Sequence, residues 1–313
     1  MTVETTNSSP VPGTVDAPPS AHGLIDRSRL RALAWRSNRR GAARLAVHLA
    51  CIGATGSLVW LTLPVWYLLV PAMVLHGITI VTMFAPMHEC SHRTAFSSRR
   101  ANDLVGWCAG VLSFYNATYY RYNHAWHHRY TYDPARDPEL MYPRASDRLA
   151  YLKEISGLMF WYRRAIDYPA LALGRAGALP FVPAEARHAI ALSMSCQLSI
   201  YLAAAVAIAM GHTAALYFWF LPALLAMPLL RGYLITEHTG CSPDGNGLSN
   251  TRTTVALFPI RLLMWNMPYH AEHHLFPSVP FHQLLALHQE LIGRLAHVAP
   301  GYLATNREIF RSL

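Results

Sequence analysis

Charge is scarce in this sequence of 313 residues: 14% are Asp, Glu, Lys or Arg while 53% are hydrophobic, against about 25% charged in an ordinary soluble domain. That deficit argues for a chain that lies in a lipid bilayer. Acidic residues are scarcer than basic ones, 17 against 26, for a formal charge of +9. In so apolar a chain the basic excess marks the cytoplasmic side of a membrane protein, with no nucleic-acid partner. Cysteines are few and odd in number (Cys51, Cys90, Cys108, Cys196 and Cys241) and form no CxxC pair. Neither a disulfide framework nor a zinc knuckle is indicated, and they read as small buried hydrophobes. The N-terminal residues are rich in Thr, Ser, Pro and Val without periodicity or the basic-then-apolar order of a signal peptide. Residues 1–26 therefore read as a disordered cytoplasmic tail.

Charge is missing altogether between Arg44 and Glu89, and again between Arg187 and Arg231. At about 1.5 Å per residue the first run is roughly twice the length that crosses a ~30 Å hydrocarbon core, so it must fold back. Leu63-Pro64 is the natural turn of the first run and Gly211-His212-Thr213 that of the second. The expectation is an all-α integral membrane protein: four spans near 45–63, 66–87, 189–210 and 214–234, as two hairpins under a cytoplasmic helical cap. With the N-terminus inside, every Lys and Arg falls on the cytoplasmic side and the external turns carry none. Arg27 to Arg44 reads as one interfacial basic helix, and Leu149 to Tyr162 as a second interfacial helix. Leu104 to Phe114, apolar but too short to span, reads as buried or re-entrant. The membrane domain is placed at 27–290 and a cytoplasmic C-terminal segment at 291–313.

Histidine is abundant where charge is not. Of 17 histidines, nine fall in four clusters: His88 and His92; His124, His127 and His128; His238; and His270, His273 and His274. His22, His48, His76, His188, His212, His282, His288 and His297 read as ordinary core or surface residues. In both HxxHH stretches the i, i+3, i+4 spacing puts three imidazoles on one helical face, and neutral imidazole is a good ligand for iron, zinc or copper. Residues 88–92 also spell His-Glu-x-x-His, the helix of a zinc metalloprotease with Glu89 as general base. Such a site needs about three ligands and an open position. Nine imidazoles exceed the roughly six positions of an octahedral ion, which implies at least two metals. The neighbouring carboxylates Glu89, Asp133, Asp137, Glu139, Glu237 and Glu272 could accept the imidazoles' other N–H groups. Asn266, four residues before His270, could orient a ligand or cap a helix. Arg231, near the end of the fourth span, could pair with a carboxylate or meet a substrate headgroup.

His88-x-x-x-His92, His124-x-x-His127-His128 and His270-x-x-His273-His274, set among apolar hairpins, resemble the three histidine boxes of the membrane fatty-acid desaturase and hydroxylase superfamily. The resemblance covers roughly residues 40 to 290. It implies a non-haem centre of two iron ions that uses dioxygen and two electrons on unactivated C–H bonds, with His238 as the additional ligand outside the boxes. The expected enzyme is a fatty-acyl or acyl-lipid desaturase, with a hydroxylase, ketolase or other oxidase as the alternative on the same fold. Glu89 and Glu237 would then support the ligands rather than catalyse proteolysis. No His-Pro-Gly-Gly haem motif of a fused cytochrome b5 occurs, so electrons would come from a separate protein such as a ferredoxin or rubredoxin. His270 stands where front-end desaturases have Gln. Apolar and aromatic candidates for the wall of a lipid-like substrate site are Trp60, Trp66, Tyr67, Phe84, Tyr115, Tyr119, Tyr120, Trp126, Phe218 and Trp219.

Overall fold

The computed structural model describes residue 21, residues 23–142 and residues 145–313. The expected tail lies outside the described residues up to residue 20, as does His22. Residues 23–26 do not belong to a tail: Leu24 and Ile25 pack on a cluster built from Leu33, Leu284, Leu287 and Leu291, and Asp26 caps helix α1 (Arg27–Leu33). The expected basic helix is broken. It stops after Leu33, and Ser37 caps a new helix, α2 (Asn38–Thr62), that takes Arg39, Arg40 and Arg44 into the first apolar span. Ser37 Oγ accepts the Arg40 amide at 3.3 Å, a cap of the kind that contributes about 1 kcal/mol. The span thus begins earlier than residue 45, because a capping serine governs where a helix starts more strongly than the last charge does.

Four helices among the described residues are long and apolar enough to cross a membrane: Asn38–Thr62, Trp66–Ser91, Ala184–Ala209 and Leu216–Leu234. The second comprises α3 (Trp66–Val81) and α4 (Phe84–Ser91). Next come α5 (Arg99–Ser113) and α6 (Ala117–Tyr130), then α7 (Arg148–Ile155), α8 (Leu158–Ala172) and the third long helix α9 (Ala184–Ala209). The fourth opens with one π-helical turn, Leu216–Phe220, and continues as α10 (Leu221–Leu234). Beyond it come α11 (Phe258–Leu263), α12 (His270–Leu275), α13 (Leu284–Leu291) and α14 (Tyr302–Ser312).

The fourth span lies along the second, and Gly77 permits the approach. A Cβ there would stand 2.0 Å from the Pro222 carbonyl oxygen and 2.8 Å from the Ala226 Cβ. A few turns beyond this crossing lie His88 on one helix and His238 after the other, so the contact sets how the two reach the site. Gly77→Ala should therefore destabilise the protein by about 1–3 kcal/mol through overpacking, read as a lower Tm in detergent; an unchanged Tm would show that the helices part freely.

The segment from Leu104 is part of α5, which packs on α4 through Gly106, against Cys90, and Gly110, against Met87. The expected interfacial helix at 149–162 is two helices, divided where Gly157 takes a left-handed φ of 78°. Residues 291–313 are not a separate segment. Strand β1 (Thr253–Thr254) pairs in parallel with β2 (Val298–Ala299), and Asn306 on α14 donates to the Gly232 carbonyl at 2.9 Å.

Candidate metal centre

Each histidine cluster is delivered by a different element. His88 sits in the last turn of α4 and His92 at its C-cap. Asn116 caps α6, its Oδ1 accepting the Tyr119 amide at 2.9 Å, and α6 then carries His124, His127 and His128. His238 follows α10, and α12 is little more than the His270-Ala-Glu-His-His274 stretch itself. All nine are buried. Eight fall into two groups whose donor atoms lie within 4.8 Å of one another: His88, His92, His124, His128 and His273 in the larger, His127, His238 and His274 in the smaller. His270 stands beside both, its ring 4.6 Å from that of His274 and 5.8 Å from that of His273.

The arrangement fits metal ions. Nε2 of His128 lies 3.0 Å from Nε2 of His124 and 3.2 Å from Nε2 of His273, and His127 and His238 meet through their Nε2 atoms at 3.2 Å. Ligands about 2.1 Å from one ion stand about 3.0–3.4 Å apart for octahedral to tetrahedral angles. Several ring nitrogens have no hydrogen-bond partner although buried: both of His88, Nε2 of His92 and His274, and Nδ1 of His128 and His270. Unsatisfied buried donors and acceptors are costly, and ligation would satisfy them. Burial, first, and the neighbouring imidazoles, second, hold His124, His128, His270 and His274 well below the ordinary histidine pKa. Burial pushes His92 down to about 3, with Arg121 adding to the effect. These imidazoles are thus neutral near pH 7, with lone pairs available.

Outer partners fix several rings. Asp137 Oδ1 accepts from Nδ1 of His127 at 2.9 Å, and the Asn250 carbonyl accepts from Nδ1 of His238 at 3.2 Å. Both bonds put the proton on Nδ1 and leave Nε2 facing the cluster. The Tyr120 hydroxyl meets Nδ1 of His124 at 3.2 Å. Glu237 Oε1 lies 3.5 Å from Nδ1 of His270, and burial raises its carboxyl well above the usual range. Glu139 lies 3.7 Å from Nε2 of His127.

Several expected partners are placed elsewhere. Asn266 is not on the helix of His270: it sits in a turn at φ 61° and donates to the Phe281 carbonyl at 2.9 Å. Glu89 Oε1 accepts the Phe281 amide at 2.9 Å, so it ties the first box to the loop after the third. Glu272 accepts from Thr253 and meets His288, not a clustered histidine. Asp133 is paired with Arg136 at the surface. Arg231 pairs with Glu154, which also faces Arg163 at 3.4 Å. The Asn250 carbonyl, His288 and Glu154, and Thr251, whose hydroxyl lies 3.4 Å from Nδ1 of His238, were not anticipated from the sequence, since each lies outside the boxes. Tyr120, by contrast, had a signal: it lies four residues before His124 on one helical face.

A cavity of about 390 Å³ reaches His88, His124, His238 and His270. Phe84, Tyr115, Tyr119 and Tyr120 line it as expected. Trp60, Trp66 and Tyr67 do not, being 65%, 76% and 62% exposed at the turn between the first two spans. Phe218 packs on His76, Trp126 on Tyr130, and Trp219 against Phe114 and Phe220.

Four apolar helices gathered under a buried all-imidazole cluster define a membrane protein of metal-binding type. The chain belongs to the fatty acid desaturase family, whose model matches residues 58–306. It is 31% identical over 127 residues to an sn-1 oleoyl-lipid 12-desaturase of Picosynechococcus sp., covering 38% of this chain and 37% of that protein. It is 24% identical over 249 residues to the chloroplastic omega-6 fatty acid desaturase of Glycine max, covering 72% and 57%. Identity to the dihydrorhizobitoxine desaturase of Bradyrhizobium elkanii is 25% over 265 residues, covering 75% and 69%. The chain thus spans a little over a third and a little over half of the length of the first two.

Proposed function

We propose that the chain is an O2-dependent, membrane-bound di-iron desaturase acting on unactivated C–H bonds of a lipid-like substrate. The observation that carries this reading is the division of the buried imidazoles into a group of five and a group of three with His270 beside them. His88, His92, His124, His128 and His273 would hold one ion; His127, His238 and His274, with His270, would hold the other. Two irons there would supply the oxidant: with dioxygen, two donor electrons and two protons from solvent, two hydrogens leave adjacent carbons, a double bond forms between them and dioxygen ends as two waters.

The protein's own groups do the rest. Asp137 and the Asn250 carbonyl hold the His127 and His238 rings in one tautomer and orientation. Phe84, Tyr115 and Tyr120 exclude water from the cavity beside His88 and present an apolar wall along which a carbon chain can be aligned. Glu89, bonded to the Phe281 amide, acts as a support rather than as the general base of a zinc protease. The basic residues would place the termini, the site and the helical cap on the cytoplasmic side, where a ferredoxin- or rubredoxin-like donor could dock. The two hairpins, and a membrane domain that runs through the C-terminal helix, belong to this reading.

Expression with an electron donor, followed by mass spectrometry of host lipids, tests it. Loss of two hydrogens is the expected result. Gain of an oxygen would assign the alternative hydroxylase or ketolase outcome, and no change in lipids or in supplied acyl substrates at full iron loading would contradict the proposal.

A further inference from the structure

Part of the lining of the cavity is charged. Arg163, Arg164, Arg175 and Arg231 line it together with Glu139, Glu154, Asp167, Glu237 and Tyr142. Most of these charges are already paired. Glu154 takes both Arg163 and Arg231, and Asp167 accepts the Tyr142 hydroxyl at 3.0 and 2.9 Å. Arg164 differs: among the described residues it forms no ion pair, and unlike Arg175, which has none either but is exposed, it is half-buried. Its Nε donates to the Phe114 carbonyl at 3.1 Å, which leaves the two terminal nitrogens free to form a fork.

The guanidinium is nevertheless held firmly. It lies 4.7 Å from the ring centre of Tyr115, 4.4 Å from that of Phe160 and 5.2 Å from that of Tyr168. Phe114 caps α5 in the left-handed region at φ 63°, a conformation that is strained for a residue other than glycine. Its carbonyl is thereby turned to accept both Arg164 and the Tyr168 hydroxyl, the latter at 2.7 Å. A strained carbonyl and three aromatic rings thus fix one cation at the wall of the cavity, with its forked end unclaimed. Two ring contacts lead from Tyr115 to the histidine cluster: Tyr115 lies 4.6 Å from Phe84, and Phe84 5.9 Å from His88. The cavity, about 390 Å³, is near the small end of the roughly 300–1,000 Å³ of small-molecule sites.

We propose that this cavity takes a compact substrate with a free carboxylate, and that Arg164 receives that carboxylate while the carbon chain lies along Tyr115 and Phe84 toward His88. Planar guanidinium matches a carboxylate with two parallel hydrogen bonds. The inference deepens the desaturase reading and rests on it for the direction in which the chain points. It separates this chain's substrate from an acyl group held in an ester, whose carbonyl carries no charge. Two chemistries share the feature, a free fatty acid and an α-amino acid with an aliphatic side chain.

Equilibrium binding to the purified full chain in detergent tests the proposal without dioxygen or turnover. The probes are radiolabelled octanoate, methyl octanoate and 2-aminooctanoate. Wild type should bind at least one of the two acids about ten-fold or more tighter than the ester; which acid binds tighter identifies the substrate chemistry. Arg164→Gln should abolish the preference and Arg164→Lys retain part of it, with ester binding as the measure that the cavity is intact. Equal binding of acids and ester by wild type overturns the proposal and needs no variant to be folded. A preference that survives in Arg164→Gln overturns the assignment to that residue. Because binding is read separately from product formation, absence of any desaturated product would count against the enzyme reading alone.

Discussion

Alanine at His238 should leave the purified protein with about half of its iron and lower activity by about 100-fold or more. The smaller histidine group has only His127, His238 and His274, with His270 beside it, so one loss would leave three imidazoles where a closed site takes about four. The larger group loses nothing directly and should keep its metal. His128→Ala and His273→Ala act on that larger group and should reduce iron as well. The contrast is His48→Ala. His48 is as buried as the clustered residues, but its Nε2 bonds the Thr79 carbonyl at 2.9 Å within the spans. Its replacement should lower stability while the folded fraction keeps the wild-type iron-to-protein ratio. Metal analysis of the monodisperse fraction reads both. Equal iron in His238→Ala and wild type would remove His238 from the ligand set.

Asp137→Ala should weaken iron binding by about 10–100-fold, the usual cost of removing an outer partner from a ligating histidine. Asp137 Oδ1 holds Nδ1 of His127, and its Oδ2 accepts the Tyr132 amide at 2.9 Å. Removal frees the ring to rotate and leaves the tautomer undetermined. Asp137→Asn keeps an acceptor in place but loses the charge, and should recover much of the affinity. Chelator competition measures the affinity, and the partial rescue distinguishes positioning of the ring from general loss of structure. Asp133→Ala, on a surface carboxylate that pairs with Arg136 and accepts the Ala135 and Arg136 amides, should change iron affinity far less than Asp137→Ala, since it touches no clustered histidine and exposed pairs contribute about 0–1 kcal/mol.

The boxes were legible because their chemistry is local: i, i+3 and i+4 spacing is a property of one helix. The four apolar helices were legible for the same reason, as unbroken runs without charge. What escaped the sequence depends on where separate elements meet. His288 and Glu272 are brought together by the turn between α12 and α13. Asn266 has the right spacing for the face of His270, but the chain turns at Trp265 and Asn266, both at positive φ, before α12 starts. The starts of α1 and α2 followed Asp26 and Ser37 as caps rather than the distribution of arginine. Nor did sequence separate Arg164 from Arg163, since only the fold decides which of the two finds Glu154.

The most direct test of the account is the metal content of the wild-type protein, purified without oxygen and without added zinc. The two histidine groups predict about two iron ions per chain. A single zinc with no iron would contradict the di-iron reading and return His88-Glu-Cys-Ser-His92 to the protease motif that it spells.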